Sequence, residues 1–114
     1  MALISRLHLY LRISQSVIVY RSSPAQKASI VGFVKRNVKD SVTVSIGDGG
    51  NDVNMIQTAH VGVGLYGKEG EQAASFSDYA LPEFKHLRRL TFVHGRSVAL
   101  KLSNFTAWFI FKMC

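Results

Sequence analysis

Apolar and polar positions alternate along this chain with two different periods, and the switches between them mark out its elements. Val17-Ile-Val-Tyr20 and Val42-Thr-Val-Ser-Ile46 are β-branched runs bounded by polar or glycine residues, which predicts buried strands over 17–20 and 42–46. His60-Val-Gly-Val-Gly-Leu65 interleaves apolar residues with glycine, the pattern of a strand near 60–64 that another backbone approaches closely. Asp78-Tyr-Ala-Leu81 reads as a further strand, closed by Pro82. Helical patterns lie between and around these runs. Ser23-Pro24-Ala25-Gln26 offers a start: Ser as N-cap, Pro at the first helical position and Gln three after the cap. That helix is expected to reach about Arg36 and to bury Ile30, Val31 and Val34 on one face, with a turn over Asn37 to Asp40 after it. A second helix is expected from about Asn51 to Thr58, burying Val53 and Ile56. Residues 3–13 and Lys68 to Ala74 read as further short helices, and Glu83 to Phe111 as one long helix with a bend placed at Gly95.

Strands alternating with helices imply a parallel α/β sheet. At 114 residues the chain holds one core at most, and no repeat, low-complexity segment or linker divides it. With 47% hydrophobic and 18% charged residues it is expected to fold. The single cysteine, Cys114, excludes an internal disulfide framework and fits a reducing, cytosolic setting. The opening Met1-Ala-Leu-Ile-Ser-Arg-Leu-His-Leu-Tyr-Leu looks superficially like a targeting peptide. Arg6, His8 and Arg12 interrupt it and no small-residue cleavage site follows, so an amphipathic helix is the better reading.

The net charge of +7 raises nucleic-acid binding as a function class, and its distribution argues against it. Lys85, Arg88, Arg89, Arg96 and Lys101 precede the apolar, aromatic-rich run Phe105-Thr-Ala-Trp-Phe-Ile-Phe111. Basic residues followed by such a run fit the cytoplasmic edge of a membrane segment. The run is far shorter than the about 20 residues that span a bilayer. The expectation is therefore the start of a transmembrane helix, with residues 1 to about 100 on the cytosolic side. A basic helix packed on a soluble partner is the alternative.

The densest chemistry lies in Val42-Thr-Val-Ser-Ile-Gly-Asp48-Gly-Gly-Asn51-Asp52. A strand, a glycine loop with two carboxylates and a helix follow in turn, and open α/β sheets bind ligands at the carboxyl ends of strands. Asp48 on the loop and Asp52 on the first helical turn are spaced to converge on one cation. Hard oxygen ligands suit Mg²⁺, which takes one or two carboxylates and fills its shell with water and phosphate oxygens. Asp-Gly and Gly-Gly are also common turn dipeptides, so a plain surface turn competes with this reading. An EF-hand does not: Ala59 stands where its bidentate Glu would be needed.

Arg21 and Lys27 bracket the turn after the first expected strand, and in a parallel sheet that turn shares an edge with the Asp48 loop. A Lys ammonium there can neutralise phosphoryl oxygens that Mg²⁺ bridges to the carboxylates. Either basic residue alone would be an ordinary solvated charge. Their coincidence with the Asp48 loop is what makes them candidates.

Arg21-Ser-Ser-Pro-Ala-Gln-Lys27 and Gly47-Asp-Gly-Gly-Asn-Asp52 resemble the phosphorylation domain of P-type ATPases, in the haloacid dehalogenase superfamily. Met55-Ile-Gln-Thr-Ala-His-Val-Gly-Val-Gly, Gly67-Lys-Glu-Gly-Glu-Gln-Ala-Ala, Ser77-Asp-Tyr-Ala-Leu-Pro-Glu-Phe-Lys-His-Leu-Arg-Arg-Leu and Val93-His-Gly-Arg narrow the resemblance. They look like the type IV P-type ATPases, the phospholipid flippases, and the likeness covers roughly residues 15 to 114. It implies a partial haloacid-dehalogenase-like, Rossmann-like parallel sheet over 1–82, and a stalk with the start of a membrane helix over 83–114. By resemblance, Asp48 is the principal Mg²⁺ ligand and Asp52 supports it. Arg21, Lys27, Asn51 and Asp52 lie at the nucleotide phosphates or phosphoryl-aspartate, and Lys27 stabilises the transferring phosphoryl group. ATP, Mg²⁺, a phospholipid substrate, the membrane and an accessory subunit are the implied cofactors and partners.

The departures from that pattern are equally specific. The family's nucleophile lies in an Asp-Lys-Thr-Gly-Thr motif, and none of Asp40, Asp48, Asp52 and Asp78 is followed by Lys-Thr-Gly. The chain is accordingly expected to be a fragment of a longer protein, a truncated gene product or a decayed copy, inactive by itself. A soluble phosphatase of the same superfamily, a flippase-like region of a bifunctional signalling protein and a non-catalytic interaction fragment are the competing readings.

Overall fold

The computed structural model describes residues 9–10, 13–38, 41–67 and 71–113. Two units are distinguished, one ending at Ala80 and one beginning at Leu81. In the first, three strands form a parallel sheet in the order β1-β2-β3: β1 is Val44–Gly47, β2 is Val61–Leu65 and β3 is Tyr79–Leu81. β1 and β2 run parallel with Val44 opposite Val61 and Gly47 opposite Gly64. The α/β class expected from the alternating pattern is what forms.

Helix α1, Pro24–Asn37, begins as its sequence dictates. The Ser23 hydroxyl accepts from the Gln26 amide and the Gln26 side chain accepts from the Ser23 amide, so two otherwise orphaned donors are satisfied reciprocally. At its other end Lys35 Nζ donates to the carbonyls of Thr58 and Ala59, tying α1 to the end of α2, Val53–Thr58. A 3₁₀ turn over Gly50–Asp52 leads into α2, so the helix expected from Asn51 starts in a tighter form. Helix α3 is short, Gln72–Ser75, and the expected start at Lys68 lies outside the described residues. So does most of the helix expected over 3–13, within which Leu9, Tyr10 and Ile13 are helical.

The core is Ile56 on α2, Val63 on β2 and Ala73 on α3, with Ser45 of β1 buried beside them. Gly64 makes the α3–β2 contact possible. A Cβ there would lie 2.5 Å from Ala74 Cα and 2.6 Å from the Ala73 carbonyl oxygen, so only glycine lets the two backbones meet. Asp78 fixes the far side of β2: its carboxylate accepts from the Gly62 amide at 2.7 Å, and its own amide donates to the Gly62 carbonyl at 3.0 Å.

Two expectations are corrected. Val17–Tyr20 forms no strand among the described residues, and all four side chains are exposed, Ile18 at 88%. A β-branched run becomes a strand only where a neighbouring edge takes up its amides and carbonyls, and none of the described residues does so. The apolar face of α1 is also shallower than its period implies, because Ile30 is exposed while Val31 and Val34 are half-buried and Gly32 alone is buried.

The second unit is helical. A 3₁₀ turn at Phe84–His86, a turn of α-helix at Leu87–Arg89, a π-helical turn at Leu90–Gly95 and an α-helix over Arg96–Met113 follow without a break, together termed α4. The irregularity expected at Gly95 is thus a π turn that ends there. Among the described residues no helix is long and apolar enough to cross a membrane.

Candidate functional site

The carboxyl end of β1 opens into a glycine loop, and two features of the loop set its chemistry. Gly47 is the last strand residue, and a Cβ on it would run into the Asp52 side chain. The missing Cβ is what lets Asp52 fold back over the strand end. Asp52 is then the N-cap of α2, a position where Asp normally accepts a helix amide; its carboxylate makes no such bond. Asp52 Oδ1 instead takes Lys27 Nζ at 2.8 Å. Lys27 sits in the first turn of α1, so this bond joins the starts of two helices that are 25 residues apart.

The pair is partly shielded, Asp52 at 15% and Lys27 at 33% exposure, so its attraction is stronger than that of a solvated surface pair. A cavity of about 360 Å³ lies against it, walled by Val19, Ile30, Val31, Ile46 and Met55 and edged by Ser22, Lys27 and Asp52. An apolar wall with a few converging polar groups is the usual construction of a small-ligand pocket.

The remaining predicted residues are all exposed. Asp48 is exposed on the loop immediately after β1, with Gly67 close behind it: a Cβ on Gly67 would stand 3.1 Å from the Asp48 Cβ. Asn51 is exposed in the 3₁₀ turn. Arg21 is exposed in the loop before Ser23 and holds a left-handed backbone, φ 53°, which costs a non-glycine residue about 1–2 kcal/mol. Lys27 and Asp52 are brought together and share the cavity; Arg21, Asp48 and Asn51 are not among the residues lining it.

Among the described residues no group of three or more His, Cys, Asp and Glu gathers as a self-sufficient metal cage. Mg²⁺ does not require one, since it binds through one or two carboxylates together with phosphate and water.

Sequence reasoning missed three contributors. Gln72 presses on the loop from α3, so that a Cβ on Gly50 would collide with its Oε1. Met55 and Ser22 line the cavity. Gln72, Met55 and Ser22 all belong to blocks singled out for their resemblance, which was the available signal.

The family model described as "Phospholipid-translocating P-type ATPase C-terminal" matches residues 74–114. Human phospholipid-transporting ATPase IH is 47% identical over 107 residues, covering 91% of this chain and 9% of its own length. Human phospholipid-transporting ATPase IC is 50% identical over 97 residues, 85% of this chain and 8% of its own. The protein of that name from Xenopus tropicalis is equally similar, at 50% over 97 residues. The chain thus spans less than a tenth of the length of these relatives, and it is related to the phospholipid-translocating P-type ATPases.

Proposed function

We propose that this chain supplies the Mg²⁺ and phosphate-site loop of an ATP-driven phospholipid-transporting P-type ATPase, with residues 1–82 as part of its phosphorylation domain and 83–114 as its stalk. The observation that carries the reading is the Lys27–Asp52 bond at the carboxyl end of β1. It holds an ammonium beside the carboxylate loop, where an incoming phosphate would meet both a cation and a metal-binding oxygen.

In this reading Lys27 places positive charge against the phosphoryl oxygens, and Asp52 holds Lys27 in position. Asp48 and Asp52 would hold Mg²⁺, whose contribution when bound is to neutralise charge developing on the phosphoryl group. Arg21 and Asn51, both exposed, would bind nucleotide. Fixed charges of this kind act with little reorganisation during reaction, and the Lys27–Asp52 bond is a means of fixing one.

One observation favours a non-catalytic role for the chain by itself. Covalent phosphoryl transfer needs a carboxylate nucleophile, and no aspartate of this sequence stands in an Asp-Lys-Thr-Gly-Thr motif. ATP hydrolysis by the purified chain is expected at background level. Metal binding separates the loop's proposed role from that of a plain surface turn. Titration of the purified ¹⁵N-labelled chain with MgCl₂ should shift the Gly47–Asp52 amides saturably, and Asp48→Asn should remove the response. Shifts that persist in Asp48→Asn would remove Asp48 as the ligand.

A further inference from the structure

A second cavity, of about 330 Å³, lies wholly within the helical unit and is lined by Leu81, Pro82, His86, Arg89, Leu90 and His94. Leu81, Pro82 and Leu90 are its apolar lining, and His86, Arg89 and His94 its basic residues. His86, Arg89 and Leu90 are neighbours by ordinary helical spacing. His94 is not. Eight residues of regular α-helix would carry it about 80° around the axis from His86. The π turn over Leu90–Gly95 adds a residue to that turn and swings His94 back to the same wall. The π turn therefore has a local consequence: it narrows the arc over which His86, Arg89 and His94 are spread.

Two further observations indicate what the cavity lacks. His86 Nδ1 is buried and has no hydrogen-bond partner among the described residues, which is costly for a polar ring atom. Charge in this unit is also one-sided: six Lys and Arg side chains stand against one acidic side chain, Glu83. Glu83 is already bound to Lys85 at 2.7 Å. Lys85 and Arg88 line a different groove, with Phe84, Leu87, Thr91 and Phe92, and Arg89 shares its cavity with His86 and His94, with no carboxylate in the lining.

We propose that His86, Arg89 and His94 form a binding site for a phosphate-bearing anion, separate from the Asp48 loop and independent of its proposed role. Arg89 supplies the planar fork that matches two phosphate oxygens. The imidazoles add donors on either side, and the apolar lining accepts the organic part of a phosphate monoester. The same chemistry is presented by a soluble phosphate ester and by a phospholipid headgroup.

The test uses the purified full chain in two arms. Glycerol 3-phosphate is titrated while the His86 and His94 ring resonances are followed by NMR, with chloride at matched ionic strength as control. In parallel, sedimentation with phosphatidylcholine vesicles is compared with and without phosphatidic acid. Saturable binding in either arm, weakened at least tenfold by Arg89→Gln and less than twofold by Arg88→Gln, is the expected result, and the arm that responds identifies the source. His94→Gln, on the segment realigned by the π turn, should weaken binding severalfold with the helical circular dichroism unchanged. Equal losses in Arg88→Gln and Arg89→Gln would reduce the effect to general charge and overturn the site, as would the absence of saturable binding in both arms.

Discussion

Lys27 Nζ lies 2.8 Å from Asp52 Oδ1, and this one bond connects the first turn of α1 to the loop that ends β1. Removing either partner leaves the other partly buried and uncompensated, which costs more than the pair contributes. Lys27→Ala and Asp52→Ala should each destabilise the first unit by about 1–2 kcal/mol, between the figures for exposed and buried pairs. The double variant should lose less than the sum. Urea unfolding of the four proteins measures the coupling, and strict additivity would show that the bond is not formed in solution.

The glycines divide into those that the fold requires and one that it does not. Gly47→Ala drives a methyl into Asp52, and Gly64→Ala drives one into the backbone of α3, which cannot yield as a side chain can. Both should destabilise by about 1–3 kcal/mol, Gly64→Ala more than Gly47→Ala. Gly95→Ala meets only the Leu90 carbonyl oxygen at 3.5 Å, an ordinary contact. It should strengthen α4, since alanine is favoured over glycine in a helix by up to about 1 kcal/mol. Thermal unfolding followed by circular dichroism gives the order, and a Gly64→Ala variant as stable as the parent would contradict the α3–β2 packing.

Asp78 is bonded twice to Gly62 and so holds the chain entering β3 against β2. Asp78→Ala should deprotect the buried Gly62 amide in hydrogen exchange by about tenfold or more, as loss of a charge-assisted bond of about 1.5–3 kcal/mol implies. Asp78→Asn, which keeps an acceptor oxygen, should restore most of the protection. Unchanged exchange in Asp78→Ala would place that carboxylate elsewhere.

Much of this was legible in the sequence where the cause is local. The Ser23–Gln26 capping box, the glycine loop after a β-branched strand, and the glycine-alternating β2 are each fixed by residues adjacent in the chain. The Val17–Tyr20 segment failed as a predicted strand because pairing depends on a neighbour that no local pattern specifies. Lys27 was chosen for its place near a turn, but its partner could only be seen once the Gly47 backbone let Asp52 fold back. The π turn was legible only as an interruption at Gly95.

The proposed role of Asp48 in the phosphate chemistry of a phospholipid-transporting ATPase can be read in a chimera. A full-length relative such as phospholipid-transporting ATPase IC, with residues 15–114 of this chain in place of its matching segment, is assayed for phosphoenzyme formation and Mg²⁺-dependent ATP turnover. The account predicts that the chimera cycles and that Asp48→Asn abolishes turnover while expression and folding are retained, because a nearly isosteric change removes the charge that holds the cation. Near-normal cycling of Asp48→Asn would contradict the assignment and with it the functional reading of the loop.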